Sequence, residues 1–301
     1  MLLRFLIALV LSLVYLAAPV WADHSAGKDA YYRGDYATAF RELTPLAESG
    51  DVFSEYTLGL MYVKGEGGPQ DFKQAEYWFF LAAEQGHAQA QDNLGVMYAN
   101  GLGVPIDFKE AVRWYRLAAE QGAARAQNNL GLMYANGLGV PIDFKEAVRW
   151  YRLAAEKGEA KAQFNLGVMY AMGQGVPQDF NEAMQWYQLA ALQGDAHAQH
   201  NLGLMYAKGE GVPQDFKEAV RWYRLAAEQG EARDQGNLGL MYAKGEGISQ
   251  DYVLAHMWFN LAAVQGEKIA ADLRDSLAKK MTPAQIAEAQ KLASEWKPRD
   301  K

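Results

Sequence analysis

Cysteine is absent from all 301 residues of the sequence. This absence excludes disulfide bonds, thiolate catalysis, cysteine-held iron–sulfur clusters and cysteine-ligated zinc. It also excludes a lipoprotein anchor, because there is no cysteine to acylate. Any function must therefore rest on other side chains.

An excess of positive charge is missing as well. The sequence has 29 lysines and arginines against 36 aspartates and glutamates, which gives a net charge of −7. A protein whose main ligand is nucleic acid needs a basic face for the phosphates. The charge balance therefore disfavours nucleic acid as a partner.

Only one long apolar run occurs, in residues 5–18, and it is interrupted by Ser12. The run is shorter than the roughly 20 residues of a transmembrane helix. Arg4 precedes it, and Val20 and Ala22 stand at positions −3 and −1 of a cleavage site. We expect a signal peptide over residues 1–22, cut after Ala22, and a periplasmic or secreted mature protein without stable membrane insertion. An uncleaved anchor is the alternative.

The rest of the chain is organised by an internal repeat. Residues 96–122 return as residues 132–158 with changes only at Val96/Leu132 and Gln121/Lys157. Tryptophans recur every 36 residues, at Trp78, Trp114, Trp150, Trp186, Trp222 and Trp258. Such a period indicates one structural unit stacked on copies of itself. We predict a degenerate repeat or cap over 23–50, six repeats over 51–266, and C-terminal capping helices over 267–301.

The sequence pattern of each repeat predicts two helices. In residues 87–122 the first helix runs from about Ala88 to Asn100 and ends at Gly101. The second begins after Asp107, which forms an acidic capping box with Glu110. Gly95 lies inside the first helix, and its return in all six repeats predicts close approach of a neighbouring backbone. In the N-terminal cap, Pro45 is expected to kink its helix or to end it early.

The motif A-x-A-Q-x-N-L-G-x-M-Y-A-x-G-x-G-V-P-x-D-x-x-x-A-x-x-W-Y-x-x-A-A-x-x-G, seen in residues 88–122, resembles the Sel-1-like repeat, a relative of the tetratricopeptide repeat. The resemblance implies an all-α fold, a right-handed α-solenoid of antiparallel helix pairs. It also implies a non-catalytic adaptor or scaffold that binds proteins or peptides. A cysteine-rich branch of the family is linked to penicillin binding and β-lactam hydrolysis, but this chain lacks the paired cysteines of that branch.

Three positions of the first helix vary between repeats, at offsets 0, +3 and +11, which fall on one side of a helix. The first position holds Phe53, Gln89, Arg125, Lys161, His197 and Arg233. The second holds Tyr56, Asp92, Asn128, Phe164, His200 and Gly236. The third holds Lys64, Asn100, Asn136, Met172, Lys208 and Lys244. We expect this variable stripe to be exposed and, from the resemblance, to line a concave groove.

Aromatic anchors among polar side chains are typical of an interface. We therefore predict a protein-binding groove formed by eight residues: Phe53, Tyr56, Asp92, Asn128, Asn129, Phe164, Asn165 and His200. The alternative is drift at solvent-exposed positions. For the recurring asparagines, including Asn129 and Asn165, hydrogen bonding between adjacent helices is the preferred role.

Other candidate chemistry has simpler explanations. Carboxylate pairs such as Asp107/Glu110 recur at capping positions. Arg113 and Arg116 are expected to pair with Glu110 and Glu120 on a solvated helix face. His197 and His200 could share a metal, but no third ligand is fixed by the sequence.

We therefore predict no catalytic residue, no metal and no cofactor. The predicted function is that of an exported protein-binding scaffold. An envelope β-lactamase-like enzyme and a secreted effector that binds host proteins remain alternatives.

Overall fold

The computed structural model describes residues 24–299, and the predicted signal peptide lies outside them. The described residues form 16 helices and no strands. The all-α repeat fold is therefore confirmed. Within this range no helix is both long enough and apolar enough to cross a membrane.

The described residues divide into two compact parts, 24–106 and 107–299. The described helices of the N-terminal part are α1 His24–Tyr32, α2 Tyr36–Glu48, α3 Val52–Lys64, α4 Phe72–Glu84 and α5 Ala88–Asn100. Those of the C-terminal part are α6 Phe108–Glu120, α7 Ala124–Asn136, α8 Phe144–Glu156, α9 Ala160–Met172, α10 Phe180–Leu192, α11 Ala196–Lys208, α12 Phe216–Glu228, α13 Ala232–Lys244, α14 Tyr252–Val264, α15 Lys268–Ala278 and α16 Pro283–Glu295.

Local capping sets the helix boundaries. Asp143 accepts hydrogen bonds from the backbone N–H of Lys145 and Glu146, at 3.0 and 3.1 Å, and so starts α8. Gly137 ends α7 in the left-handed conformation, with φ of 68°. The predicted bounds of α5 are confirmed.

The predicted capping box at Asp107 is only half formed. Asp107 caps α6, but the carboxylate of Glu110 accepts from Arg113 at 3.1 Å and does not close the box. A reciprocal box is found at the start of α16, between Thr282 and Gln285. In two later repeats the N–H of the equivalent Asp143 and Asp179 donates to the carbonyl of Tyr134 and Tyr170 at 3.0 Å, so it is already satisfied without the glutamate.

Small residues let the paired helices pack closely. In α8 and α9, Ala147, Ala154 and Leu166 are fully buried. Gly131 of α7 faces the ring of Tyr151, and a Cβ atom built there would lie 2.7 Å from the ring and 3.2 Å from the carbonyl oxygen of Ala147. The predicted close approach of a neighbouring backbone is confirmed at the carbonyl of Ala147, and the ring of Tyr151 lies nearer still.

The two ends of the stack are capped differently. At the N-terminal end, Pro45 lies inside α2, which continues to Glu48, so the expectation of an early end was wrong. At the C-terminal end, α15 stops at Ala278, and α16 packs on α14. There the rings of Trp258 and Trp296 meet edge to face, with centroids 6.0 Å apart.

Candidate protein-binding site

The first variable position of the stripe is exposed in five of the six repeats. Phe53 is the exception: it is half-buried, with Lys28 Nζ 5.3 Å from its ring centroid. Lys161, His197 and Arg233 present polar or charged side chains to solvent in the C-terminal part. The expectation of exposure holds for these positions.

The third variable position is exposed in all six repeats. Met172 is 64% exposed. Asn100 donates to the carbonyl of Val96 at 2.8 Å, which satisfies the end of its own helix. These residues can meet a partner without disturbing the core.

The second variable position differs from the expectation. Asp92 and Asn128 are 3% and 5% exposed, and Tyr56, Phe164 and His200 are half-buried. The prediction that this position is solvent-exposed was therefore wrong. Asn128, Phe164 and His200 contact the first helix of the next repeat, so variation at these residues reflects packing between repeats.

Aromatic residues at this position fill the space between repeats. The ring centroid of Tyr56 lies 4.5 Å from that of His87 and 5.8 Å from that of Phe79. Phe164 lies 5.8 Å from His197 and 5.9 Å from Tyr187 in the same way. These rings are partly structural, so only their exposed edges remain for a ligand.

Two of the recurring asparagines, Asn165 and Asn201, make hydrogen bonds of the predicted kind. Asn165 Nδ2 donates to Asn128 Oδ1 at 2.9 Å, which joins α9 to α7. Asn129 is half-buried in α7. Burial raises the pKa of Tyr187 to about 12, and its hydrogen bond with Asn201 opposes this shift. Asn165 and Asn201 thus serve the packing of the repeats.

One residue of this region was missed by the sequence analysis. The carboxylate of Asp234 is 3% exposed, and its Oδ1 lies 2.8 Å from Nδ1 of His200. The signal was available, because alanine stands at the equivalent position of four repeats: Ala90, Ala126, Ala162 and Ala198. The described residues contain no group of three or more His, Cys, Asp or Glu that could hold a metal.

A ladder of glutamines runs beside the stripe. Gln163 Nε2 donates to the carbonyl of Ala155 at 3.2 Å. Gln193, at the end of the second helix of the same repeat, donates to Gln163 Oε1 at 2.8 Å and to the carbonyl of Gly158 in the preceding repeat at 3.0 Å. The pattern recurs at Gln199/Gln229 and Gln235/Gln265. These bonds fix the position of one repeat relative to the next.

Lys157 interrupts this ladder. Its Nζ donates to the carbonyl of Gly122 at 2.6 Å, and among the described residues Gln127 Oε1 is buried without a hydrogen-bond partner. We predict that Lys157→Gln raises the free energy of unfolding by about 1 kcal/mol, because it supplies the missing donor. Urea unfolding of the two proteins measures the effect. Gln193→Lys should have the opposite sign, because it removes the donor to Gln163. Equal effects of both changes would contradict the ladder.

Glu55 takes the glutamine position in α3 and is buried. Burial raises the pKa of its carboxyl above the usual 4.5, and the hydrogen bond from Gln85 partly offsets this. A raised pKa in the folded protein means that folding favours the protonated carboxyl. The stabilisation of the folded state by Glu55 is therefore fully present below pH 4.5 and is lost as the pH rises through the raised pKa.

Glu55→Gln should therefore raise the melting temperature by about 2–4 °C at pH 8 and change it little at pH 4. Melting curves at both pH values test this. The reverse change Gln163→Glu should create the same pH dependence in the C-terminal part. A pH-independent effect of Glu55→Gln would refute the burial argument.

The arginines of the second helices lie on a solvated face. Arg113 pairs with Glu110 at 3.1 Å, as predicted, and the pair recurs as Arg149/Glu146 and Arg221/Glu218. The predicted pairing of Arg116 with Glu120 was wrong. Arg116 donates to the hydroxyl of Tyr134 at 2.8 Å instead, which links α6 to α7.

Comparisons with known proteins agree with this architecture. A model of the Sel1 repeat matches six segments: residues 52–87, 88–122, 124–159, 160–195, 196–231 and 233–267. The sequence matches none of the curated proteins with which it was compared.

Two solved structures resemble the chain closely. One is a protective antigen present in uropathogenic Escherichia coli strains, with 39% identity and a TM-score of 0.76 over 85% of this chain. This chain spans 56% of that antigen's length. The other is a Sel1 repeat protein from Oxalobacter formigenes, with 36% identity and a TM-score of 0.72, covering 78% of this chain and 94% of the other. Six matched repeats over most of the chain, set on the same helix-pair fold, establish that the protein belongs to the Sel1 repeat family.

Proposed function

We propose that the protein is an exported scaffold that binds a partner protein on the first helices of its repeats. Sel1 repeat proteins are in general non-catalytic and mediate interactions between proteins. The observation that supports the proposal for this chain is the exposed variation at the first and third positions of the stripe. Packing does not constrain these positions, and their side chains differ in size, polarity and charge from repeat to repeat.

In the C-terminal part the proposed surface combines an aromatic edge with positive charge. Phe164 lies one turn after Lys161, and His197 stands beside its ring at 5.8 Å. Arg233 occupies the equivalent exposed position two repeats after Lys161. An acidic segment with an apolar anchor would complement this surface. In the N-terminal part, Phe53 and Tyr56 offer the corresponding aromatic edges.

Affinity capture from an envelope extract tests this proposal. We expect the protein to retain a partner that is lost when Lys161 and Arg233 are both changed to glutamate, since charge reversal repels an acidic partner. A matched control carries glutamate at Lys73 and Lys109, two exposed lysines of second helices. Loss of the partner from both variants, or from neither, would refute a site on the first helices.

Export is a separate part of the proposal. We expect the mature protein to begin at Asp23 and to be found in the periplasm or the culture medium. Cell fractionation and mass spectrometry of the intact protein test it. A chain that retains Met1 in the cytoplasm would refute export.

A further inference from the structure

The tryptophans of the second helices are covered by neighbouring side chains, with one exception. Arginine guanidinium groups lie over three of the rings at 4.5–5.0 Å: Arg113 over Trp114, Arg149 over Trp150, and Arg221 over Trp222. Trp186 of α10 follows Gln185, and among the described residues no arginine lies over its ring. It is half-buried, whereas the other five repeat tryptophans are at most 7% exposed.

The chain's own C-terminal segment covers the last of these tryptophans. Trp296 packs edge-on against Trp258 of α14. Three residues later, the N–H of Arg299 donates to the carbonyl oxygen of Glu228 at 2.7 Å, and its guanidinium lies 3.2 Å from the Glu228 carboxylate. Residues 296–299 thus bridge the second helices of two successive repeats, α12 and α14.

The same surface occurs two repeats earlier, but uncovered. Helices α8 and α12 have identical 13-residue sequences. A cleft of about 620 Å³ on α12 includes Arg221, Leu225, Glu228 and Arg299. Its counterpart on α8, of about 600 Å³, is lined by residues that lie 72 positions earlier: Lys145, Arg149, Arg152, Leu153, Glu156 and Val176.

The surface on α8 and α10 offers the same kinds of side chain that residues 296–299 contact on α12 and α14. Glu156 is exposed and has no ion-pair partner within residues 24–299, whereas Glu228 is half-buried against Arg299. Leu189, one turn after Trp186, is 45% exposed, whereas its counterpart Leu261 is half-buried beside Trp296 and Ala293.

We propose that the surface formed by Glu156, Leu153, Trp186 and Leu189 docks an extended segment of a partner protein in which an aromatic residue is followed three positions later by arginine. The aromatic ring covers Trp186 and Leu189, as Trp296 covers Trp258. The arginine pairs with Glu156 at the C-terminal end of α8, where the helix dipole adds negative potential. Aromatic residues and arginine are also the side chains that contribute most to interface affinity.

A second copy of the chain is a weaker candidate for this surface. Each C-terminal segment is tethered next to its own site on α12, at an effective concentration of about a millimolar or more. A segment donated to another copy would first have to leave that site. A partner protein that carries the same pattern faces no such competition.

A labelled peptide of residues 294–301, SEWKPRDK, serves as the probe. Fluorescence anisotropy with the full-length protein should show saturable binding, with a Kd of about 10–500 μM for so small a contact. Gln185→Arg should weaken binding at least about tenfold, because the new arginine covers Trp186 as Arg149 covers Trp150. Glu156→Gln should weaken it about threefold to tenfold.

Matched controls separate this surface from general charge effects. Glu120→Gln changes the same residue of an identical helix, but the tryptophan of the following repeat, Trp150, is already covered, so peptide binding should stay within twofold. A peptide with alanine at Arg299 should bind about as weakly as the Glu156→Gln protein binds the parent peptide. Circular dichroism confirms that each variant is folded.

Three results would overturn the proposal. They are no binding up to 1 mM peptide, equal binding by the Gln185→Arg variant, and equal loss with Glu120→Gln. Sedimentation of the protein alone provides a further test. A dimer that Gln185→Arg abolishes would assign the surface to a second copy and reject the partner segment. This surface lies on the second helices, so the glutamate variants at Lys161 and Arg233 should bind the peptide normally even if the proposed function is wrong.

Discussion

His200→Leu should lower the free energy of unfolding by about 3–5 kcal/mol at pH 7, because it leaves a buried carboxylate without its partner. The Asp234 side chain is 3% exposed and lies 2.8 Å from Nδ1 of His200. Leucine is large enough to keep bulk water away from the carboxylate. Chemical denaturation followed by circular dichroism measures the loss.

The opposite single change should have a much smaller effect. Asp234→Ala restores the residue that four other repeats carry at this position, and it leaves His200 with a 14% exposed side chain that can still reach solvent. We expect a change below about 1.5 kcal/mol.

The double variant completes the cycle. Asp234→Ala in the His200→Leu background should recover most of the lost stability, since no buried charge remains. If His200→Leu alone is as stable as the parent protein, the carboxylate has another source of solvation and the argument fails.

Two glycines of α13, three residues apart, should respond to alanine in opposite directions. A Cβ atom on Gly239 would lie 2.8 Å from the ring of Phe259 and 3.2 Å from the carbonyl oxygen of Ala255. A Cβ atom on Gly236 would meet only Ala270 Cβ, at 3.9 Å. We expect Gly239→Ala to lower the free energy of unfolding by about 2–3 kcal/mol through overpacking. Gly236→Ala should raise it by about 0.5–1 kcal/mol through helix propensity.

The pair is its own control, because both changes add one methyl group to the same helix. In a repeat protein the unfolding caused by Gly239→Ala should begin near the changed residue. Hydrogen exchange in α13 and α14 should therefore become faster before exchange in α7 and α8 does. Gly131→Ala should transfer the local effect to α7 and α8, since Tyr151 takes the place of Phe259 there. Stabilisation by Gly239→Ala would show that the ring can move aside at little cost.

Parts of the predicted site were accessible from the sequence and parts were not. Comparison of the repeats correctly identified exposed variation at Lys161 and Met172. Comparison of the repeats could not separate exposed variation from the variation at Asn128 and His200, which are buried or half-buried. A position varies when it is exposed, but it also varies when its contact in an adjacent repeat varies with it. Asp234 was visible as an aspartate in a column of alanines, but its meaning depended on finding His200 beside it.

The helices and their order follow from the amino-acid sequence alone. Asp143 and Gly137 cap helices through backbone groups only a few residues away. Equivalent capping residues recur every 36 residues, so the helix bounds follow from short-range interactions. Three features could not be read from the sequence: which side of each first helix faces its neighbour, the contact of Asp234 with His200, and the position of residues 296–299 on α12. Those outcomes depend on contacts between residues more than 30 positions apart, and the angle at which one helix pair packs on the next selects which side chains meet.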